Sequence, residues 1–273
     1  MQGALGNGFN GLPNFVMGVY DAAAETYTNV SAPMLLDAGG GVNYAQLSWT
    51  ATGVDPRVLF VSWLRLTEPA PPDCGTQGQL TALRDLRFDP RLNRLVFNPI
   101  AEYATLRSAA PIFNASLALP AGGPPLQLFD GGGGGGVIMD VEAAMTLPAS
   151  GAAAAVMLSL RCAANRDDGG CAGGANVTVI AAAADAAGGR ACTLTVDYTY
   201  HVSTPFVLLP GEASLPLRVL SDLRSLEIFA GAGRGVVSVS LLSADGAVYA
   251  AAPGGGPAVV LQATGWAMTP TNY

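Results

Sequence analysis

The side chains of this chain that are able to do chemistry are few and widely spaced. The glycines of G-A-G-R-G, Gly231 to Gly235, come after the apolar run S-L-E-I-F-A and admit two readings, a dinucleotide-binding loop or the turn of a hairpin. A dinucleotide loop must open a helix whose free amides hold the pyrophosphate, with an acid about twenty residues further on. The next residues, V-V-S-V-S-L, alternate with the strand period, so the glycines turn a hairpin. Paired carboxylates would serve general-acid and nucleophile chemistry. The candidates are Glu25, Glu68 and Asp73 in loop-like sequence, and Asp222 and Glu227 on or beside a strand. Cys74, Cys162, Cys171 and Cys192 show no C-x-x-C spacing, and the single histidine, His201, builds no metal site with them, so neither a metal nor a cofactor is expected. Cys162 and Cys171 bracket a polar loop that a disulfide closes if antiparallel strands flank it; free buried thiols are the alternative. Three acceptor triplets, Asn29-Val-Ser, Asn114-Ala-Ser and Asn176-Val-Thr, point to N-glycosylation and a secretory route.

The chain must be long enough to position such groups, and at 273 residues with 50% hydrophobic content it supports a substantial core. A net charge of -7 argues against nucleic acid and anionic membrane, both of which need clustered cations. An uncharged partner fits better. No apolar run is long enough for a membrane-spanning helix, and the first ten residues do not read as a secretory signal. All 13 basic residues are arginine, a compositional bias shared by the glycine tract Gly131 to Gly136, which reads as a loop.

Period-two alternation dominates, and the sequence predicts an all-β chain. Strands are expected at Val137–Leu147, Val156–Leu160, Asn176–Ile180, Cys192–Tyr200, Leu217–Val219, Ser225–Phe229, Val236–Leu241 and Ala258–Ala263, a spacing typical of a two-sheet β-sandwich. The first third predicts four strands, Asn14–Asp21, Asn43–Trp49, Val58–Leu64 and Gln79–Phe88, which would form one four-stranded propeller blade. A short helical connector is expected over Asn98–Arg107. Residues 1–110 are therefore read as a blade with its connector and residues 111–273 as the sandwich.

The segment L-R-V-L-S-D-L-R-S-L-E-I-F-A-G-A-G-R-G-V-V-S-V-S-L resembles part of the C-terminal sandwich of glycoside hydrolase family 32, the invertases, levanases, inulinases and plant fructan enzymes. Asp222, Ser225, Glu227 and Phe229 occupy the family's positions, and Trp266 resembles its late tryptophan. Earlier, Asp37, Gly39, Tyr44, Ala45 and Trp49 match one family segment. Trp63 matches the next, and Arg84, Leu86, Pro99, Glu102, Leu106 and Arg107 match the run leading into the connector. The resemblance implies the last blade of an incomplete five-bladed propeller with the sandwich after it. It implies a parent β-fructofuranosidase-like hydrolase that cleaves sucrose or fructan with retention, secreted or vacuolar.

The family's Asp-Pro-Asn nucleophile, Arg-Asp-Pro and Glu-Cys acid/base motifs do not occur here, so these residues alone are expected to be inactive. By resemblance Tyr44 lies at the rim of the fructosyl pocket and is the candidate sugar contact. Trp49 and Trp63 are expected to pack inside the blade, Asp222 and Glu227 to be structural, and His201 to lie at a surface. An oligomer through the sandwich stays open, as does a non-catalytic sandwich that binds carbohydrate or stabilises a partner.

Overall fold

A computed structural model of the chain describes residues 14–39, 43–50, 57–65, 78–131, 138–162, 174–241 and 245–269. Its N-terminal part holds two small ladders and one larger sheet. Strand β1 (Asn14–Phe15) pairs with β4 (Met34–Leu35), and β2 (Gly18–Asp21) forms a hairpin with β3 (Thr26–Asn29). The larger sheet is an antiparallel meander of β5 (Asn43–Thr50), β6 (Val58–Arg65), β8 (Arg84–Asp89) and β9 (Arg94–Pro99), with β7 (Gly78–Leu80) on the far end of β6.

This blade differs from expectation at three points. The predicted first strand, Asn14–Asp21, breaks into β1 and β2 because the chain turns at Met17, whose carbonyl accepts the amides of Val30 and Ser31. The predicted strand Gln79–Phe88 is two strands. Its ladder stops where the Ala82 amide is donated to Glu227 and the Leu83 amide to the Tyr103 hydroxyl. The outer strand is β9, which overlaps the predicted connector; only Ala101–Leu106 is helical, as a 3₁₀ turn.

From Phe113 onward the chain builds two six-stranded antiparallel sheets. The first runs β10 (Phe113–Leu119), β21 (Val259–Ala267), β12 (Met139–Thr146), β17 (Ser214–Ser221), β18 (Ser225–Ala230) and β19 (Gly235–Ser240). The second runs β11 (Leu126–Phe129), β20 (Ala247–Ala251), β13 (Ala154–Cys162), β14 (Ala175–Ala181), β15 (Arg190–Asp197) and β16 (His201–Leu208). Alternate residues such as Val141, Leu158, Val177, Leu194, Leu217 and Ile228 fill the space between the sheets. The fold is all-β, a blade joined to a two-sheet sandwich. Four strands of the sandwich are absent from the sequence reading: β10, β11, β16 and β20. The last is A-V-Y-A-A, poor in β-branched residues, and β16 carries Pro205, tolerated because β16 is an edge strand. The predicted strand Cys192–Tyr200 ends earlier, at Asp197, since Tyr198 to Tyr200 turn into β16.

The first sheet has two apolar faces, which is why β18 and β19 are buried throughout. One faces the sandwich interior. The other presents Leu220, Phe229 and Val236 to Phe60 and Phe97 of the blade, whose rings meet edge to face at 5.3 Å. The G-A-G-R-G segment is the hairpin between β18 and β19, with Gly231, Ala232 and Gly233 all at positive φ. Its tip docks on the blade, where Phe97 donates its amide to Gly233 O at 3.0 Å and Asn98 Nδ2 reaches Ala232 O at 3.1 Å. A Cβ at Gly233 would lie 2.3 Å from the Phe97 carbonyl oxygen, so glycine is required there for close approach as well as for φ.

Candidate functional site

The largest concentration of buried charge lies between blade and sandwich. Arg84, at the start of β8, is fully buried, with its Nη1 2.8 Å from Asp37 Oδ2 and its Nη2 2.9 Å from Glu227 Oε2 and 2.6 Å from Ser238 Oγ. Ser238 on β19 donates its hydroxyl to Asp37 Oδ2 at 2.7 Å and its amide to Asp37 Oδ1 at 2.8 Å. Gly39 adds a second amide to Oδ1 at 3.1 Å. A Cβ at Gly39 would lie 2.0 Å from the Ser238 carbonyl oxygen, so only glycine lets the segment after Asp37 lie along β19. The Ala82 amide supplies Glu227 Oε1. Two carboxylates, one guanidinium, one hydroxyl and three backbone amides thus form one closed network. The rings of Phe60 and Phe229 lie 5.8 and 5.2 Å from the guanidinium carbon.

Burial opposes the charge on Arg84, but the fields of Asp37 and Glu227 outweigh it and hold its pKa above the ordinary value. For Glu227 burial wins, and its pKa is raised despite Arg84. Asp37 and Glu227 both lie against Arg84 and are buried, so neither is free to attack or protonate a substrate. Glu227 is structural as expected, but through an ion pair across the blade interface rather than through turn bonding.

A separate buried carboxylate anchors the connector. Asp140 on β12 accepts Arg218 Nε at 3.0 Å and Nη2 at 2.8 Å, and Arg107 Nε at 2.7 Å. The Arg107 guanidinium carbon lies 4.1 Å from the Trp266 ring centroid. At the far end of β16, Arg234 holds Glu212 through two nitrogens at 2.6 and 2.7 Å. These bonds outweigh burial and depress the Glu212 pKa below 4.5. A depressed carboxylate contributes stability above its unfolded pKa and loses it as pH falls through the folded one. Glu227, raised, contributes in the opposite sense, being most favourable below 4.5 and less so as pH rises through its folded pKa. The substitution Glu212→Gln is therefore expected to flatten the acid limb of stability. Urea midpoints taken from about pH 6 down to pH 3 check this, and an unchanged slope would contradict it.

The other sequence-predicted residues are dispersed. Tyr44 lies in β5 with its backbone opposite Trp63. Trp49 is 40% exposed, so the expectation that it packs inside the blade is corrected; β5 is an edge strand whose outward residues find no cover among the described residues, whereas Trp63 on β6 is half-buried and its ring lies against Gly78 of β7. Glu25 lies in the β2–β3 turn at positive φ, while Glu68, Asp73 and Cys74 fall outside the described residues. Asn29 on β3 and Asn114 on β10 are exposed. Asn176 on β14 is partly buried and accepts Ser159 Oγ at 2.6 Å. Cys162 is disulfide-bonded and buried, whereas Cys171 lies outside the described residues. Cys192 is a buried free thiol that burial pushes up to about 11, leaving it unreactive. His201 is exposed, its Nδ1 2.6 Å from Asp197 Oδ1. Among the described residues no cluster of His, Cys, Asp or Glu can hold a metal. Asp140, Arg218 and Ser238 escape a reading of the sequence because a lone acid, arginine or serine within strand alternation carries no motif.

The site defines a class: an all-β chain in which a blade is clamped to a two-sheet sandwich through buried ion pairs. No protein-family model matches the chain, and no curated protein matches it either. Solved structures do. Fructan 1-exohydrolase IIa from Cichorium intybus superposes with a TM-score of 0.76 at 16% identity, covering 96% of this chain and 56% of that one. An exo-inulinase from Aspergillus awamori gives 0.71 at 16% identity over 96% and 52%, and a GH32 β-fructofuranosidase from Bombyx mori gives 0.63 at 18% over 93% and 46%. The chain has the fold of the C-terminal region of glycoside hydrolase family 32 and spans about half the length of these structures.

Proposed function

We propose that these residues are the C-terminal part of a β-fructofuranosidase-like glycoside hydrolase acting on sucrose or fructan with retention of configuration. A single observation carries the reading: a fold match over nearly the whole of this chain to about half of each fructan- or sucrose-cleaving neighbour. The neighbours' complexes with 1-kestose and with sucrose support a carbohydrate substrate. The edge of β5, which pairs with no second strand among the described residues and leaves Leu47 and Trp49 exposed, supports a further blade beside it. Tyr44, on that strand, is the proposed sugar contact at the rim of the pocket. A Cys162–Cys171 disulfide and glycans on Asn29, Asn114 and Asn176 belong to the same secreted or vacuolar reading.

Retaining hydrolysis needs two accessible carboxyl groups roughly 5 Å apart, and the carboxylates described here are spent on arginines or dispersed. The chemistry is assigned to residues outside this sequence. Purified residues 1–273 are expected to release no fructose from sucrose or 1-kestose above a heat-killed control. Extension of the transcript upstream is expected to add a segment carrying the Asp-Pro-Asn, Arg-Asp-Pro and Glu-Cys motifs. Fructose release by these residues alone would overturn the assignment, and so would an upstream sequence without those motifs.

A further inference from the structure

We infer that the corner where the β8–β9 turn of the blade meets the β16–β17 turn of the sandwich is a binding site for a small tetrahedral oxyanion, phosphate or sulfate. Such a site is independent of the hydrolase reading. Three arginines gather there around two carboxylates. Arg91 belongs to the β8–β9 turn, Arg94 opens β9, and Arg234 comes from the β18–β19 hairpin. Asp89, the last residue of β8, is the register partner of Arg94, so the two side chains leave the same face of the sheet. Asp89 nevertheless turns to Arg91, accepting its amide at 2.9 Å, its Nε at 3.3 Å and its Nη2 at 3.1 Å. Arg234 Nη2 comes within 4.0 Å of the same carboxylate while both of its terminal nitrogens hold Glu212.

The charges at this corner do not balance. Each acid has its own arginine, Asp89 with Arg91 and Glu212 with Arg234, and Arg94 has no acid. Among the described residues Arg94 makes no hydrogen bond and no ion pair: its Nε is enclosed and unpaired, and its two terminal nitrogens reach the surface. A half-buried guanidinium without a counter-ion is costly, and a second one beside it raises that cost. Burial, and after it the field of Arg234, hold the Arg94 pKa below its ordinary value. An oxyanion on the Arg94 fork would supply the missing counter-charge through two parallel hydrogen bonds. The exposed Arg91 reaches a third oxygen, which a tetrahedral anion has and a planar carboxylate lacks. The enclosed Arg234 adds its field from the sandwich side, so the anion ties blade to sandwich. The chain as a whole, at -7, repels anions; what draws one here is the local surplus. A neutral ligand leaves that surplus unmatched.

Thermal unfolding of the full chain tests this, with sodium phosphate, sulfate or acetate exchanged for sodium chloride at constant ionic strength. Phosphate and sulfate are expected to raise the melting temperature saturably, half-completely at roughly 1–10 mM, and by about 3 °C at ten times that concentration. Acetate should act several-fold more weakly. Arg94→Gln should weaken phosphate binding about tenfold, yet melt no lower than the wild type in chloride, because it removes an unpaired charge. Arg91→Gln, at an exposed position, should weaken binding about threefold. Arg65→Gln removes the same charge from an exposed position at the far end of β6 and should leave binding unchanged. A phosphate effect that does not saturate, that survives Arg94→Gln, or that Arg65→Gln removes equally overturns the site. So does an Arg94→Gln variant that melts below the wild type in chloride, since Arg94 would then be a structural residue. None of these outcomes bears on whether the chain releases fructose, so the two readings fail separately.

Discussion

Replacing Arg84 by alanine is expected to lower stability by about 3–5 kcal/mol, the cost of leaving buried charge uncompensated. Arg84 contacts two carboxylates that are themselves buried, and both face away from water. Removing the guanidinium leaves Asp37 and Glu227 as adjacent like charges with only backbone amides and the Ser238 hydroxyl to solvate them. It also opens a void between Phe60 and Phe229. Lysine keeps one charge but not the fork that reaches both acids and Ser238, so Arg84→Lys should fall between alanine and the wild type. Urea unfolding monitored by tryptophan fluorescence is the measurement, since Trp49 and Trp63 lie in the blade and report its release from the sandwich. A loss below about 1 kcal/mol for Arg84→Ala would show that the network is not what holds the two parts together.

How legible this network is in the sequence depends on which residue is asked about. Asp37, Arg84 and Glu227 all stand out as matches to family segments, yet nothing in their spacing says that they meet. Arg84 and Glu227 are 143 positions apart, brought together only when the sheet of β17, β18 and β19 packs on the blade. Ser238 gives no signal because a serine in V-V-S-V-S-L reads as an ordinary solvent-facing position, whereas β19 is covered on both faces. The sandwich itself is legible wherever one face is buried. In N-V-T-V-I of β14, Val177 and Val179 point into the core, and that burial imposes the period of two. Legibility fails where packing overrides propensity, as in the alanine-rich β20 between β11 and β13. The blade's frame is misread at both ends. Its true outer strand, R-L-V-F-N-P, is short and ends in proline, and its first predicted strand is consumed by the turn at Met17. The glycine hairpin is legible because alternation after the turn excludes a helix, but its docking on Phe97 is a tertiary fact.

Asp140→Ala is expected to cost about 3 kcal/mol, at the lower end for a broken buried pair, because its partners keep some access to solvent. The carboxylate is the common acceptor of Arg107, from the connector, and Arg218, from β17, so its loss leaves two guanidinium groups facing each other with Glu142 as the remaining acid. Like charges at that separation push Arg107 away from the Trp266 ring, and the connector loses one of the contacts that fix it to β21, beside the backbone bond from Ser108 to Ala267. Asp140→Asn keeps the volume and part of the hydrogen bonding and should cost roughly half as much. The two variants separate charge from packing. If the asparagine variant matches the wild type, shape rather than ion pairing fixes the connector; if it matches alanine, the charge is what matters. A red shift of Trp266 emission in both, read in a variant lacking Trp49 and Trp63, would place the change at the connector. An unfolding midpoint unchanged in Asp140→Ala would remove Asp140 from the set of groups that join blade to sandwich.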